Sequence, residues 1–421
     1  MKWCALLLGV WAGFVSAYPL DGYERTGIRR LDFYARGHSG EIANVRRQHP
    51  GALLPLDQVQ IPPAGTFAHS FPQAMDTSLR DEIRSALGVH ADSYALHLVD
   101  LSDAKQIEVV DWHAERLGNV GSVGKLLVAL AVLHQLQQWW PEPEQRLEIL
   151  RNTQVVASSI ATPDHHKVPI WQPTEQELQY RPLQPGDQAS LFEYLDWMIS
   201  ASSNAAASVL MQQVILLAHM QRDYAASSAR RERVWAELNK VQRGEVLAEA
   251  MDRAVVAAGL DPEQLRQGSL LTRQGKAQVA SRQSYASPLA LNQMLYRMLQ
   301  GKLLDRFSSH EMLRLMYQTQ RRIRYASHPV LTDSAVYFKS GSLYSCKPEE
   351  GFSCGPYRGN RINLLTSTIL VQYPADEPQV QYLVSVRSNV LRVNSAVAHQ
   401  RLAGAIHRLM LQKHGVVQGA E

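Results

Sequence analysis

The sequence predicts an α+β fold in which strands from both ends of the chain close into one antiparallel sheet around a helical middle. Three observations carry that reading. Two strand-like runs, 94–101 and 107–112, flank a polar turn holding Ser102, Asp103 and Lys105. Three more runs rich in β-branched residues, 335–342, 361–373 and 379–387, lie toward the C-terminus. Between the two groups, apolar residues recur at helical spacing, so helices must pack on a sheet that the returning chain completes.

Residues 1–17 read as a cleaved export signal. Lys2 gives a basic start, 3–15 is apolar, and Val15-Ser16-Ala17 has the small residues of a signal-peptidase site. The run is too short and wrongly flanked to span a membrane. The mature protein is therefore expected to begin near Tyr18, to be periplasmic or secreted, and to carry no membrane anchor. Cys4 leaves with the signal. Cys346 and Cys354, eight positions apart, remain, and in an exported protein they read as a disulfide closing a short loop.

The chain of 421 residues is long enough to bury a large core. Its net charge of +4 is mild; it permits attraction to anionic cell-wall polymers and points to no particular partner. No basic stripe with interleaved aromatics is present, so nucleic acid is not an expected partner. His165-His166, after Pro163-Asp164 in a polar loop, lack further residues at ligand spacing and read as solvated surface. Neither a metal nor a cofactor is expected.

In chain order, 18–80 reads as an N-terminal extension of irregular or linker structure, because Pro50-Gly51, Pro55, Pro62-Pro63-Ala64-Gly65 and Pro72 break any periodicity. A helical pattern begins at Asp76-Thr77 and runs through Ile83 and Leu87. After the first strand pair comes a strongly apolar helix, Leu126 to Leu133 and beyond, which Pro141-Glu142-Pro143 ends. The proline-rich connection 151–189 contains Trp171, Tyr180 and the two histidines and has the character of a binding loop. Ser190-Leu191-Phe192-Glu193 is a capping box that starts the next helix, through Leu195, Trp197 and Met198. From 211 to 260 the pattern is helical and charged; Arg222, Arg230, Arg231, Arg233 and Arg243 could form an anion-binding face, but a solvated face is the better reading. Ser287-Pro288 opens another helix, and 395–411 closes the chain as an amphipathic one.

The chemistry centres on Gly121-Ser122-Val123-Gly124-Lys125, at the mouth of the apolar helix. Serine and lysine three positions apart lie on one helical face, so the amine can reach the hydroxyl, which is a poor nucleophile until a base takes its proton. Helix N-terminal N–H groups favour a developing oxyanion. Ser102-Asp103-Ala104-Lys105 has the same spacing but sits in the turn between strands and reads as structural. Two further stretches distinguish Ser122: Ser202-Ser203-Asn204, between two helical patterns, and Lys339-Ser340-Gly341-Ser342, at the end of a strand-like run.

Ser-x-x-Lys, then Ser-x-Asn, then Lys-Ser-Gly is the signature order of class A β-lactamases and penicillin-binding proteins, and the chain resembles that serine penicillin-recognising superfamily over 81–421. The resemblance implies a five-stranded antiparallel sheet with flanking helices beside an all-helical lobe, with the active site in the cleft between them. It implies Ser122 as nucleophile, Lys125 as its base and Ser202 as the proton shuttle to the leaving nitrogen. Asn204 would hold the substrate amide and orient Lys125, and Lys339 and Ser340 would bind the substrate carboxylate. Gly341, lacking a β-carbon, would let the strand approach closely. The N–H groups of Ser122 and Ser342 would form the oxyanion hole.

One departure matters. The class A pattern Glu-x-x-Leu-Asn, whose glutamate activates the deacylating water, is absent; Glu263 is the nearest candidate and its neighbours are wrongly placed. The expected activity is an exported serine hydrolase forming an acyl-enzyme with a β-lactam or a peptidoglycan-derived D-alanyl peptide, most like a β-lactamase. The alternatives are a D-alanyl-D-alanine carboxypeptidase or other penicillin-binding protein, and a non-catalytic peptidoglycan-binding relative.

Overall fold

The computed structural model describes residues 22–417 apart from 47, 173, 175, 176, 226, 320 and 321. The export signal and Cys4 lie outside the described residues. The sheet has five strands: β1 (Tyr94–Asp100), β2 (Glu108–Trp112), β3 (Ala335–Ser345), β4 (Ile362–Tyr373) and β5 (Val380–Asn389). Their order is β2-β1-β5-β4-β3, antiparallel throughout, so the C-terminal strands pair onto the N-terminal hairpin as expected. The β1–β5 register sets Leu98 opposite Val384, and β3–β4 sets Lys339 opposite Thr368.

Each strand's two-residue period sorts its side chains between two cores. Val336 and Phe338 of β3 join Leu98, Ile369 and Val384 in one core. Covering that face are helix α1 (Thr77–Leu87), through Leu79 and Ile83, and helix α2 (Ser395–Lys413), through Leu402 and Ile406. Ala335 and Tyr337 face the other core, with the helical lobe, and the same period points Lys339 that way.

At the centre of the lobe lies helix α3 (Lys125–Trp139). Every side chain from Lys125 to Leu136 is buried, which is the pattern of a helix surrounded on all sides. Helices α4 (Leu191–Ile199), α5 (Asn204–Met220), α6 (Lys240–Ala257) and α7 (Arg306–Tyr317) pack around it. Among the described residues, no helix is long and apolar enough to cross a membrane.

Four sequence readings need correction. The segment 22–76 is not a linker: it contains helix α8 (Arg29–His38), and Ile28, Leu31, Leu54, Leu56, Val59, Ile61 and Phe67 enter the larger core. Scattered apolar residues in irregular backbone leave no periodic signal, yet each buries hydrophobic surface worth about 1.5–3 kcal/mol. Connection 151–189, read as a proline-rich binding loop, holds short strands: Gln154–Val156 pairs with Gln188–Ser190, and Val168–Trp171 with Leu178–Arg181. Ser190 caps α4 by accepting from the Glu193 amide, but the Glu193 carboxylate bonds Arg29 of α8 instead of closing the box. Arg231 is not part of a solvated face: it is buried and donates to the carbonyls of Tyr224 and Gln154.

Candidate active site

Gly121–Gly124 forms one turn of 3₁₀-helix that runs directly into α3. In a 3₁₀ turn, residues i and i+3 eclipse, so Ser122 and Lys125 are aligned more closely than on an α-helix. Lys125 Nζ donates to Ser122 Oγ at 3.1 Å. The same amine donates to Asn204 Oδ1 at 2.8 Å and to the Ser202 carbonyl at 2.5 Å, and lies 3.3 Å from Ser202 Oγ.

The second motif is delivered by the turn between α4 and α5. Ser203 caps α5 by accepting from the Ala206 amide, which places Asn204 at the first helical position. Ser202 adopts φ = 58°, a left-handed conformation that costs a non-glycine residue roughly 1 kcal/mol or more and persists only where its surroundings impose it. In that conformation its hydroxyl stands between two amines: Lys339 Nζ donates to Ser202 Oγ at 2.8 Å, and Lys125 approaches from the other side.

The third motif lies on β3, and Gly341 is where strand and nucleophile turn meet. A β-carbon on Gly341 would fall 2.3 Å from the Ser122 backbone nitrogen. Ser340 and Ser342 alternate with it, and their hydroxyls accept from Arg324 at 2.9 and 3.0 Å. Arg324 also lies over the Tyr357 ring, 5.0 Å from its centroid. Cys346 and Cys354 are joined by a disulfide just beyond this strand.

These contacts bring the eight site residues expected from sequence together where the helical lobe meets β3. Ser102 does not join them; it closes the β1–β2 turn region against the Gln381 backbone. Glu263 does not either: its side chain is 74 % exposed and pairs with Arg266 at 3.1 Å. The His165-His166 pair is not simply solvated surface. His166 Nδ1 lies 2.7 Å from Asp164 Oδ1, and the other Asp164 oxygen accepts from Ser203 Oγ and the Ala205 amide at 3.0 and 2.9 Å.

Three participants were not legible in the sequence. Arg324 belongs to no short motif, and its distance along the chain from Ser340 carries no periodic signal. Asp164 was visible only as a neighbour of the histidines, because its contacts are with residues about forty positions away. Gln267 is buried with its amide against Gly124, where a β-carbon would meet Oε1 at 2.0 Å. Here the sole available signal was its position in the connection between the second and third motifs.

The electrostatics follow from burial. Lys125 has no exposure, and burial pushes its amine down to about 7, assisted by Arg324 and opposed by Asp164. Burial, with Lys125 and Arg324, holds the Lys339 amine well below the usual lysine range. Lys125, Lys339 and Arg324 bond hydroxyl, carbonyl and amide oxygens here, so the site gathers basic groups and suits an anion. Asp164, His165 and His166 bring one ligand atom each within 4.8 Å, but both Asp164 oxygens are already taken by hydrogen bonds, so the carboxylate serves as an orienting acceptor.

The family model described as "Beta-lactamase enzyme family" matches residues 78–353, well over half of the chain. The chain belongs to this β-lactamase enzyme family. The match takes in all three motif stretches and the disulfide loop nearly to its end. Among curated proteins, none matches the sequence. Solved structures agree in fold. A β-lactamase from Sphaerobacter thermophilus superposes with TM-score 0.52 at 14% identity, over 82% of this chain and 100% of that one. A class A β-lactamase representative from Bacteroides cellulosilyticus gives 0.53 at 13%, over 82% and 100%. The TLA-3 extended-spectrum β-lactamase gives 0.52 at 14%, over 80% and 98%. The five-stranded sheet with its helices is the fold of these enzymes.

Proposed function

We propose that the protein is an exported serine hydrolase that opens β-lactams, or related D-alanyl peptides, through an acyl-enzyme on Ser122. The observation that carries this is the Lys125 amine, fully buried, held near neutrality by that burial, and 3.1 Å from Ser122 Oγ. An amine that is neutral for much of the time at pH 7 can take the serine proton as Oγ attacks the amide carbon.

The remaining roles follow the geometry. The developing oxyanion is met by the N–H groups of Ser122 and Ser342, which Gly341 allows to converge. Ser202 Oγ, between the two amines, relays the proton to the leaving nitrogen, and Asn204 fixes Lys125 and the substrate amide. The substrate carboxylate is bound by Lys339, Ser340 and Arg324; that anion also offsets the burial and the repulsion that disfavour the charged Lys339 amine. Export follows from the signal-like residues 1–17 and fits the disulfide beside β3.

Mass spectrometry of the purified protein after penicillin should find one adduct, mapping to the Ser122 peptide and lost in Ser122→Ala. An adduct on Ser102, or labelling that survives Ser122→Ala, would overturn the assignment. A second reading, a D-alanyl-D-alanine peptidase or penicillin-binding protein, is favoured by Glu263, which is turned to solvent instead of to the cleft. Faster turnover of a D-alanyl-D-alanine peptide than of a chromogenic cephalosporin would select it.

A further inference from the structure

Arg324 stands in the site with its charge uncompensated. Its guanidinium donates to Ser340 Oγ at 2.9 Å, to Ser342 Oγ at 3.0 Å and to the Tyr357 hydroxyl at 3.4 Å. All three partners are neutral, and among the described residues no carboxylate pairs with this arginine. An arginine side chain is long and rich in rotamers, so an anion that binds it must also overcome the entropy of holding it still. A neighbour that fixes the guanidinium before substrate arrives therefore strengthens binding.

Tyr357 is placed for that task. Arg324 lies over its ring, with the guanidinium carbon 5.0 Å from the centroid. Tyr344 packs edge-on against the same ring, at 5.5 Å between centroids and 60° between planes. Ser340, Ser342 and Tyr344 share one face of β3 by alternation, so a single strand face steadies both Arg324 and Tyr357. The Tyr357 backbone is held as well. Its carbonyl accepts from the Ser395 amide at 2.9 Å and from Ser395 Oγ at 3.3 Å, and Ser395 is the first residue of α2. Cys354 precedes Tyr357 by three residues, and its disulfide to Cys346 ties that approach to the end of β3. Of eight non-glycine residues with positive φ among those described, three are Ser202, Arg324 and Tyr357, at φ = 58°, 56° and 59°. Strained backbone of this kind persists where the surroundings impose it, and it gathers at sites that need fixed geometry.

We infer that Tyr357 is a positioning residue for specificity: its ring, anchored to β3 and α2, holds the Arg324 guanidinium where it receives the substrate carboxylate, and so selects substrates that carry that anion. This rests on the acyl-enzyme reading above, in which Ser340 and Arg324 bind the carboxylate. Among the described residues, no hydrogen bond joins Tyr357 to Ser122, Lys125 or Ser202, so the chemical step itself is left to those groups.

The test compares a penicillin with its methyl ester in the full mature chain. Stopped-flow acylation across substrate concentration separates the dissociation constant of the first complex from the acylation rate at saturation. Tyr357→Ala should weaken the first complex with the free acid about 5- to 30-fold, the range of a cation–π contact. The ester complex should stay within about twofold of the parent, because an ester offers Arg324 no charge. Acylation at saturation should keep the parental rate, which also shows that the variant is folded. Tyr357→Phe keeps the ring and loses only the 3.4 Å contact, so it should behave as the parent. In an Arg324→Ala background, Tyr357→Ala should have no further effect, since the two side chains act as one unit. Equal weakening of acid and ester would overturn the inference, because the ring would then serve general packing. So would unaltered binding of the acid, or an effect of Tyr357→Ala that persists without Arg324. If penicillin never acylates the parental protein, the acyl-enzyme reading itself fails, and this inference falls with it.

Discussion

The α-carbon of Gly341 lies so close to the Ser122 amide that a β-carbon there would sit 2.3 Å from the nitrogen. Strand β3 and the 3₁₀ turn are therefore held at backbone contact, which sets where the Ser122 and Ser342 N–H groups can meet one oxygen. The obstructing atom is backbone and cannot swing aside as a side chain would. Gly341→Ala should slow penicillin acylation about 10²-fold or more, comparable to losing an oxyanion-hole donor. The midpoint of thermal unfolding should move by only about 1–2 °C, the equivalent of about 1 kcal/mol in a chain of this length. Acylation at the parental rate would show that the two amides do not cooperate.

Acylation should rise with pH through a midpoint near 7. The ammonium form of Lys125 cannot accept the Ser122 proton, and burial lowers the amine from its ordinary 10.5 to about 7, so the competent form disappears as pH falls below that value. The second-order acylation rate measured from pH 5 to 9 should show this single rise. Lys125→Arg, always charged, should abolish it. A rate still climbing steeply near pH 10 would mean that the amine is not the base.

Turnover of a chromogenic cephalosporin should begin with a burst near one equivalent and continue slowly, because Glu263, the nearest candidate for the missing glutamate pattern, is exposed and bonded to Arg266. Glu263→Gln should change neither phase, since that side chain is 74% exposed and bonded to Arg266. Stopped-flow absorbance resolves both phases. Rapid turnover without a burst, abolished by Glu263→Gln, would place a moving Glu263 in the site.

Arg30 of α8 and Asp196 of α4 are both fully buried and meet at 2.6 Å. Arg30→Ala leaves Asp196 as an uncompensated buried charge, so urea denaturation should register a loss of about 3–5 kcal/mol. Because α4 leads directly into the Ser202 turn, penicillin acylation should also weaken before the protein unfolds. A loss below about 1 kcal/mol would mean that residues 22–76 are dispensable, as an unpaired surface charge would be.

The sequence by itself determined what local chemistry and periodicity encode. The apolar run after Gly124 specified a buried helix, the strand-like run that opens 335–342 specified a strand, and the proline pair at 141 and 143 ended α3. Ser122 and Lys125 were legible together because a single helical turn joins them, and the contrast with Ser102 was legible because that serine lies between strands. The order of the three motifs then indicated which distant stretches must meet. Tertiary structure alone decided the contacts that no period records. Irregular backbone carries Ile28 to Phe67 into the core. Arg324 reaches Ser340 and Ser342 only because β3 brings them beside it, and Asp164 joins His166 to the Asn204 turn only because 151–189 folds into paired strands. Such side chains take their function from neighbours remote in sequence, and burial, which sets the lysine proton affinities, exists only once the whole core has closed.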